Sequence, residues 1–402
     1  MRRIFLVLFF LALISCEEKN KSQEDSAEAK VELQKKLKKT NLPIEVIQTE
    51  IAFLSGFIET NNSIQLRYEL TLLNNFKIPF TLKKVEIYDL QKDSEPIAVF
   101  DVNYLDKNFD RPGNNDLEDV KLLSANEFGV LNIQLDLKLK QTVPNKIFHK
   151  LYFQRQKRNW EFAMHPMEVA ILKIPEKNKL TLGLPFKKKG KWLYEADSHQ
   201  GARFLTEGSA TYPQRFAIDW TLINENGFFA KGDTKINKNW ETHGIEILSV
   251  ADGKVVAIKD GIAENEPLSK KMAVRITRET IGGNYVIVDI GNDVYAFYGH
   301  LIPNSLRVKV GDVVKKGQVM GLLGNSGNSD APHLHFHLET KSKYAFGGEG
   351  IPYHIEQYTH LKDYSEREII AMFDNNTVEL EGIIPVQKNS TLPIGYGLIE
   401  LK

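Results

Sequence analysis

The sequence predicts an all-β protein, an N-terminal antiparallel β-sandwich followed by a second antiparallel β domain. Three observations carry this. Two long stretches alternate apolar and polar residues with period two. The second half consists of short apolar runs punctuated by Gly and Asp-Gly. Helical character is confined to a charged segment near the start and one short segment near the end. At 402 residues the chain has room for two or three domains, and 42% hydrophobic with 26% charged residues is ordinary for a globular protein. The formal net charge of +0 gives no electrostatic reason to expect a nucleic-acid partner.

The elements follow in order. Residues 1–16, "MRRIFLVLFFLALISC", place Arg2 and Arg3 before an apolar run from Ile4 to Ile14 that is too short for a stable membrane span. The run ends at Cys16, the only cysteine of the chain. This layout resembles a bacterial lipoprotein signal, which implies lipid on Cys16 and a folded part held at the cell envelope, in the periplasm or at the cell surface. Acyl chains at one residue anchor by ~0.8 kcal/mol per buried methylene, and two or more suffice for stable attachment. With one cysteine, no disulfide forms within the chain. Residues 17–43 are charged and poor in large apolar side chains, as a tether would be.

From residue 44 the period changes to two. "SIQLRYELTLLNN" alternates Ile64, Leu66, Tyr68, Leu70 and Leu72 with Gln65, Arg67, Glu69 and Thr71; "LNIQLDLKLK" repeats the pattern from Leu131 to Leu139. Residues 44–178 are therefore expected to form an immunoglobulin-like sandwich. His149 and His165 are solitary there, so this module is expected to contribute nothing to chemistry. Residues 179–345 form the second β domain, with short strands in "FAIDWTLI", "IEILSVADGKVVAIKDG", "NYVIVDIGNDVYAFYGHL" and "PHLHFHLET". Residues 346–402 hold a short helix and two more strands, expected to dock on that domain.

The chemistry lies in three separated segments: "QRFAIDW" with Asp219, "FYGHL" with His300, and "HLHFHL" with His333, His335 and His337. In a strand, residues two apart share a face, so the three alternating histidines line one side while Leu334 and Phe336 face the other. At ~3.3 Å per residue the outer two start ~13 Å apart, so they cannot all bind one ion. Aspartate and neutral imidazole suit zinc, and a catalytic zinc keeps three protein donors and one open position. The Gly-rich "GLLGNSGNSDAPH" lacks the Lys-Ser/Thr of a phosphate loop and leads into a strand, so it reads as a loop shaping the cleft mouth.

Residues from about 185 to 340 resemble the M23 family of zinc metallopeptidases, the LytM or lysostaphin type, through "SVADGKVVAIKDG", "GNYVIVDIGNDVYAFYGHL" and "VKVGDVVKKGQVMGLLGNSGNSDAPHLHFHL". The resemblance implies an antiparallel β fold, Zn²⁺ as cofactor and peptidoglycan peptides as substrate. It implies Asp219 and His335 as zinc ligands and His300 and His333 as the catalytic pair. One position departs from the family's His-x-x-x-Asp motif: Arg215 stands four residues before Asp219, and a guanidinium does not ligate. Either Arg215 turns away and another residue completes the site, or it pairs with Asp219 and the metal is absent. His337 is the nearest spare donor; His199 and His243 are weaker ones. Two functions follow: a membrane-anchored zinc endopeptidase acting on the cell wall, or a degenerate domain that binds the wall or activates another wall hydrolase. The phrase "ADGKVVAI…VGDVVKKGQVMG" also resembles a biotinyl or lipoyl carrier barrel, but the carrier's Met-Lys-Met turn is missing.

Overall fold

A computed structural model describes residues 46–113, 119–155, 165–340 and 345–402. Cys16 and the segment 17–43 lie outside the described residues. The fold is almost entirely β with antiparallel sheets predominating, as the alternation predicts. Among the described residues, no helix is long and apolar enough to cross a membrane. The described residues divide into two compact units, one drawn from 46–51, 69–133 and 142–175, the other from 52–68, 134–141 and 176–402.

In the first unit, the strand Phe80–Asp89 is flanked by Lys146–Arg155 and Ala98–Phe100, with His165–Lys173 outside Lys146–Arg155. A second sheet takes in Ile47–Glu50, residues 69–74, residues 128–133 and Phe109–Asp110. Leu82, Val85, Ile87 and Leu151 are buried, the inward set of a half-covered sheet. His149 is buried too, its Nδ1 2.9 Å from the Ala170 carbonyl, and burial pushes its pKa down to about 4.

The second unit is built on an 11-stranded sheet. Its path runs Thr181–Leu182, His354–Tyr364, Tyr396–Leu401, Gly190–Glu195, Ile218–Ile223, Leu334–Thr340, Val294–Leu301, Asn284–Asp289, Gly253–Lys259 and Val313–Val314, with Val386–Thr391 beside His354–Tyr364. Residues 354–401 thus continue the same sheet. The α-helix Glu366–Asn375 begins with a reciprocal cap between Ser365 and Glu368 and buries Ile369 and Met372.

Register places the site. Glu195 lies opposite Asp219, Asp219 opposite His335, and His335 opposite Gly299. Directly opposed residues project to the same face, so four neighbouring strands present Glu195, Asp219 and His335 in one row beside the end of the His300 strand. The other face is core. Leu334, Phe336 and Leu338 are buried there with Trp192, Trp220 and Tyr298, and Phe186 stacks on Trp192 at 3.7 Å between centroids. The alternation of "HLHFHL" therefore sorts histidine from hydrocarbon as a strand requires.

Candidate metal centre

Asp219 is the hub. Its Oδ1 lies 2.8 Å from His335 Nδ1 and its Oδ2 lies 2.8 Å from His199 Nε2. His333 Nε2 is 3.6 Å from the same Oδ2. The donor atoms of His199, Asp219 and His335 all lie within 4.8 Å of one another. His199 comes from the loop after the strand Gly190–Glu195; the other two come from adjacent strands. Burial acts to raise the Asp219 pKa, but His199, His333 and His335 outweigh it and hold the carboxyl well below its usual range. Burial and then the Asp219 charge act in opposite senses on His335, and burial wins, so its ring stays neutral more readily than a free imidazole. For His199 the balance reverses: burial lowers its pKa, yet the charge and hydrogen bond of Asp219 carry it above the ordinary value.

Two further histidines stand at the rim. His300 takes a left-handed backbone, φ 62°, which costs a non-glycine residue ~1 kcal/mol or more. Three contacts impose it. His300 N donates to Gly282 O at 3.0 Å, its carbonyl accepts from Gly324 N at 3.1 Å, and its Nδ1 lies 2.7 Å from Ser326 O. Gly283 and Gly327 allow the two loops to meet, since a Cβ on Gly283 would stand 2.2 Å from Ser326 O and one on Gly327 would stand 2.3 Å from Gly283 N. His333 is tied in the same manner, its Nδ1 2.9 Å from Ala331 O and 3.2 Å from Ser329 Oγ. With Nδ1–H donating to a carbonyl, each ring leaves Nε2 as a free acceptor. The ring centroids lie 4.7 Å apart. Burial, then the neighbouring His333 and His335, push the His300 pKa far down.

The "GNSGNSDAPH" loop is thus a support. Asn325, Ser326 and Ser329 are buried, and Ser329 Oγ donates to Asn325 Oδ1 at 2.7 Å. Sequence reading gave it a role at the cleft mouth and missed that it orients both rim histidines.

The structure chooses between the two fates of Arg215. Its guanidinium is buried, 2.8 Å from Glu349 Oε2 and 3.1 Å from the Gly350 carbonyl, with Phe53 and Tyr212 rings over it at 5.4 and 5.6 Å. It faces Glu349 and leaves Asp219 to the histidines. His337, the spare donor nearest in sequence, is not in the cluster. Its Nδ1 lies 3.0 Å from His335 Nε2, the ring nitrogen remote from Asp219, and its ring stacks on Phe297 at 4.8 Å. It buttresses His335. His243 pairs with Glu264 at 3.1 Å and is likewise outside the cluster. His199, ranked behind His337 on sequence, takes the third place. Glu195 was missed; half-buried beside Asp219, its carboxyl is pushed up to about 8 by burial and then by the Asp219 charge.

The donor set fits zinc. One carboxylate and two imidazoles converge, and the His300 and His333 rings stand beside them. Hydrogen bonds of 2.8 Å hold the donors slightly closer than the ~3.3 Å that separates ligands of a tetrahedral zinc with ~2.0–2.1 Å bonds.

Fold and site together define a class, an all-β domain with a His/Asp/His cluster at one end of an antiparallel sheet. Residues 239–346 match the profile described as Peptidase family M23, and the chain carries an M23 domain there. The matched stretch holds His300, His333 and His335 and begins after Asp219. Peptidoglycan DD-endopeptidase ShyA of Vibrio cholerae is 41% identical over 61 residues, 15% of this chain and 14% of that protein. Glycyl-glycine endopeptidase ALE-1 of Staphylococcus capitis is 45% identical over 62 residues, 15% of this chain and 17% of that one. The match thus spans only about one seventh of the length of such relatives. Among solved structures, the catalytic domain of lysostaphin from Staphylococcus simulans aligns at TM-score 0.19 and 27% identity, over 31% of this chain and 84% of that one.

Proposed function

We propose that the protein is a zinc-dependent endopeptidase that cuts peptides of bacterial peptidoglycan, held at the cell envelope by lipid on Cys16. The observation that carries the reading is the three-donor cluster of His199, Asp219 and His335 with two oriented imidazoles beside it. His199, Asp219 and His335 would hold the ion, which supplies Lewis acidity toward a peptide carbonyl and lowers the pKa of water. The protein's own groups do the rest. Asp219 carries the negative charge that retains a cation in a buried site. His337 holds the His335 ring so that Nδ1 faces Asp219. His300, kept neutral by burial, offers Nε2 as acceptor for a proton of the attacking water. His333 Nε2, 3.6 Å from Asp219 Oδ2 on the same rim, would share in accepting the proton that water gives up as it adds to the carbonyl.

The similarity to ShyA, a peptidoglycan DD-endopeptidase, supports the substrate class, as do the M23 domain and the sequence resemblance. The test is digestion of purified sacculi by the zinc-loaded protein, reading newly released amino groups. Parent protein should release them, and His300→Ala and His333→Ala should each fall by ~10²-fold or more, the usual worth of a general acid or base. A second reading, wall binding without cleavage, is favoured by Arg215 at the family's ligand position. Its signature is co-sedimentation with sacculi without any released amino groups.

A further inference from the structure

Building on the proposed three-donor site, we infer that Arg67 is a positioning residue for that site, so that the segment 52–68, far upstream of the M23 match, is a working part of the metal centre. Arg67 is 1% exposed. Its guanidinium reaches four partners. One terminal nitrogen donates to the Ala196 carbonyl at 3.4 Å and to the Arg215 carbonyl at 3.1 Å; the other lies 2.6 Å from Asp197 Oδ1. The Nε donates to Gln65, whose own amide donates to Asp136 at 2.9 Å, and the whole group lies over the Phe216 ring at 5.6 Å.

These anchors are not arbitrary. Ala196 and Asp197 begin the loop that delivers His199, and Arg215 opens the segment that enters the strand bearing Asp219. A single planar, permanently charged fork therefore fixes the approach of two of the three donors. Besides these, Ala196 is buried and its N donates to Gly395 O at 2.8 Å, while the His199 side chain itself is 31% exposed. A donor carried on such a loop binds well only if the loop is held in place beforehand, which is the part a guanidinium clamp plays. Residues that orient ligands without touching the metal typically contribute ~10–100-fold in affinity.

The test is zinc affinity of the purified full chain, by competition with a chromophoric chelator, for the parent, Arg67→Met, His199→Ala and the double variant. Arg67→Met should weaken zinc by ~10–100-fold while near-ultraviolet circular dichroism stays that of the parent. In the His199→Ala background the same change should cost clearly less, because the part of its effect that runs through that donor is gone. A role in packing alone would give equal losses in both backgrounds and would overturn the inference, as would unchanged affinity in Arg67→Met. If Arg67→Met does not fold, Asp197→Asn, which removes only the exposed end of the clamp, decides. A several-fold loss confined to the His199 background supports the inference, and no loss overturns it. Should His199→Ala itself bind zinc like the parent, the three-donor reading fails; should it bind weakly while Arg67→Met does not, only the role of Arg67 fails.

Discussion

Replacing Arg215 by Met tests whether this residue is a structural ion pair and no part of the metal site. The guanidinium is buried, and its removal strands a Glu349 side chain only 14% exposed and deprives the Gly350 carbonyl of its donor. Breaking one side of a buried pair costs ~3–5 kcal/mol, and the partial solvent access of Glu349 argues for the lower end, ~3 kcal/mol. At ~2–4 °C per kcal/mol for a unit of this size, the melting temperature should fall by ~6–12 °C. Removing both charges, in Arg215→Met with Glu349→Met, should recover more than half of the loss, because no unpaired carboxylate remains. Zinc affinity should shift by no more than ~3-fold, since Arg215 faces Glu349 and not Asp219. Thermal melts of the metal-free proteins and chelator competition read both quantities. A tenfold gain in zinc affinity on losing the arginine, or an unchanged melting temperature, would refute the assignment.

Other consequences can be read from the same structure. His199→Ala removes one of three protein donors, and zinc binding measured by chelator competition should weaken by ~10²-fold, about a quarter of the ~10–16 kcal/mol of a four-donor site. His337→Ala should weaken it by only ~10-fold, as a support for His335 does; complete loss of metal would make His337 a ligand after all. Metal-free stability should fall as pH drops from about 6.5 toward 4, because His149 is held neutral in the fold while the unfolded chain takes up a proton; urea melts of His149→Gln should lack that slope. Membrane fractionation of Cys16→Ser should move the protein to the soluble fraction, and retention in the membrane would end the lipid-anchor proposal.

Much of the fold is legible because β structure writes a period of two into the chain. The alternation in "SIQLRYELTLLNN" and "HLHFHLET" announces which side of each strand is hydrocarbon, and Leu334, Phe336 and Leu338 are buried accordingly. The helix Glu366–Asn375 is announced by its own cap, Ser365 with Glu368. Such signals are local, a few residues long, and survive without knowledge of the partner strand.

The same sequence also names most of the candidate chemistry, since Asp219, His300, His333 and His335 lie in or beside strands whose spacing and residue types are recognisable. It raises the problem of Arg215 and leaves it open, because whether a guanidinium turns toward Asp219 or Glu349 depends on a carboxylate 134 residues away. The choice of His199 over His337 is likewise tertiary. Proximity along the strand favours His337, two residues from His335, but alternate residues on a strand aim in parallel, so it meets the far nitrogen of His335. His199 stands 20 residues before Asp219 with no spacing rule to mark it, and it arrives only because the Gly190–Glu195 strand pairs with Ile218–Ile223. Arg67 is further still, 130 residues before Asp197, and looks in sequence like any polar residue on the outer face of a strand. Local periodicity decides which face a side chain takes, whereas strand order and register decide which distant donor stands across from it.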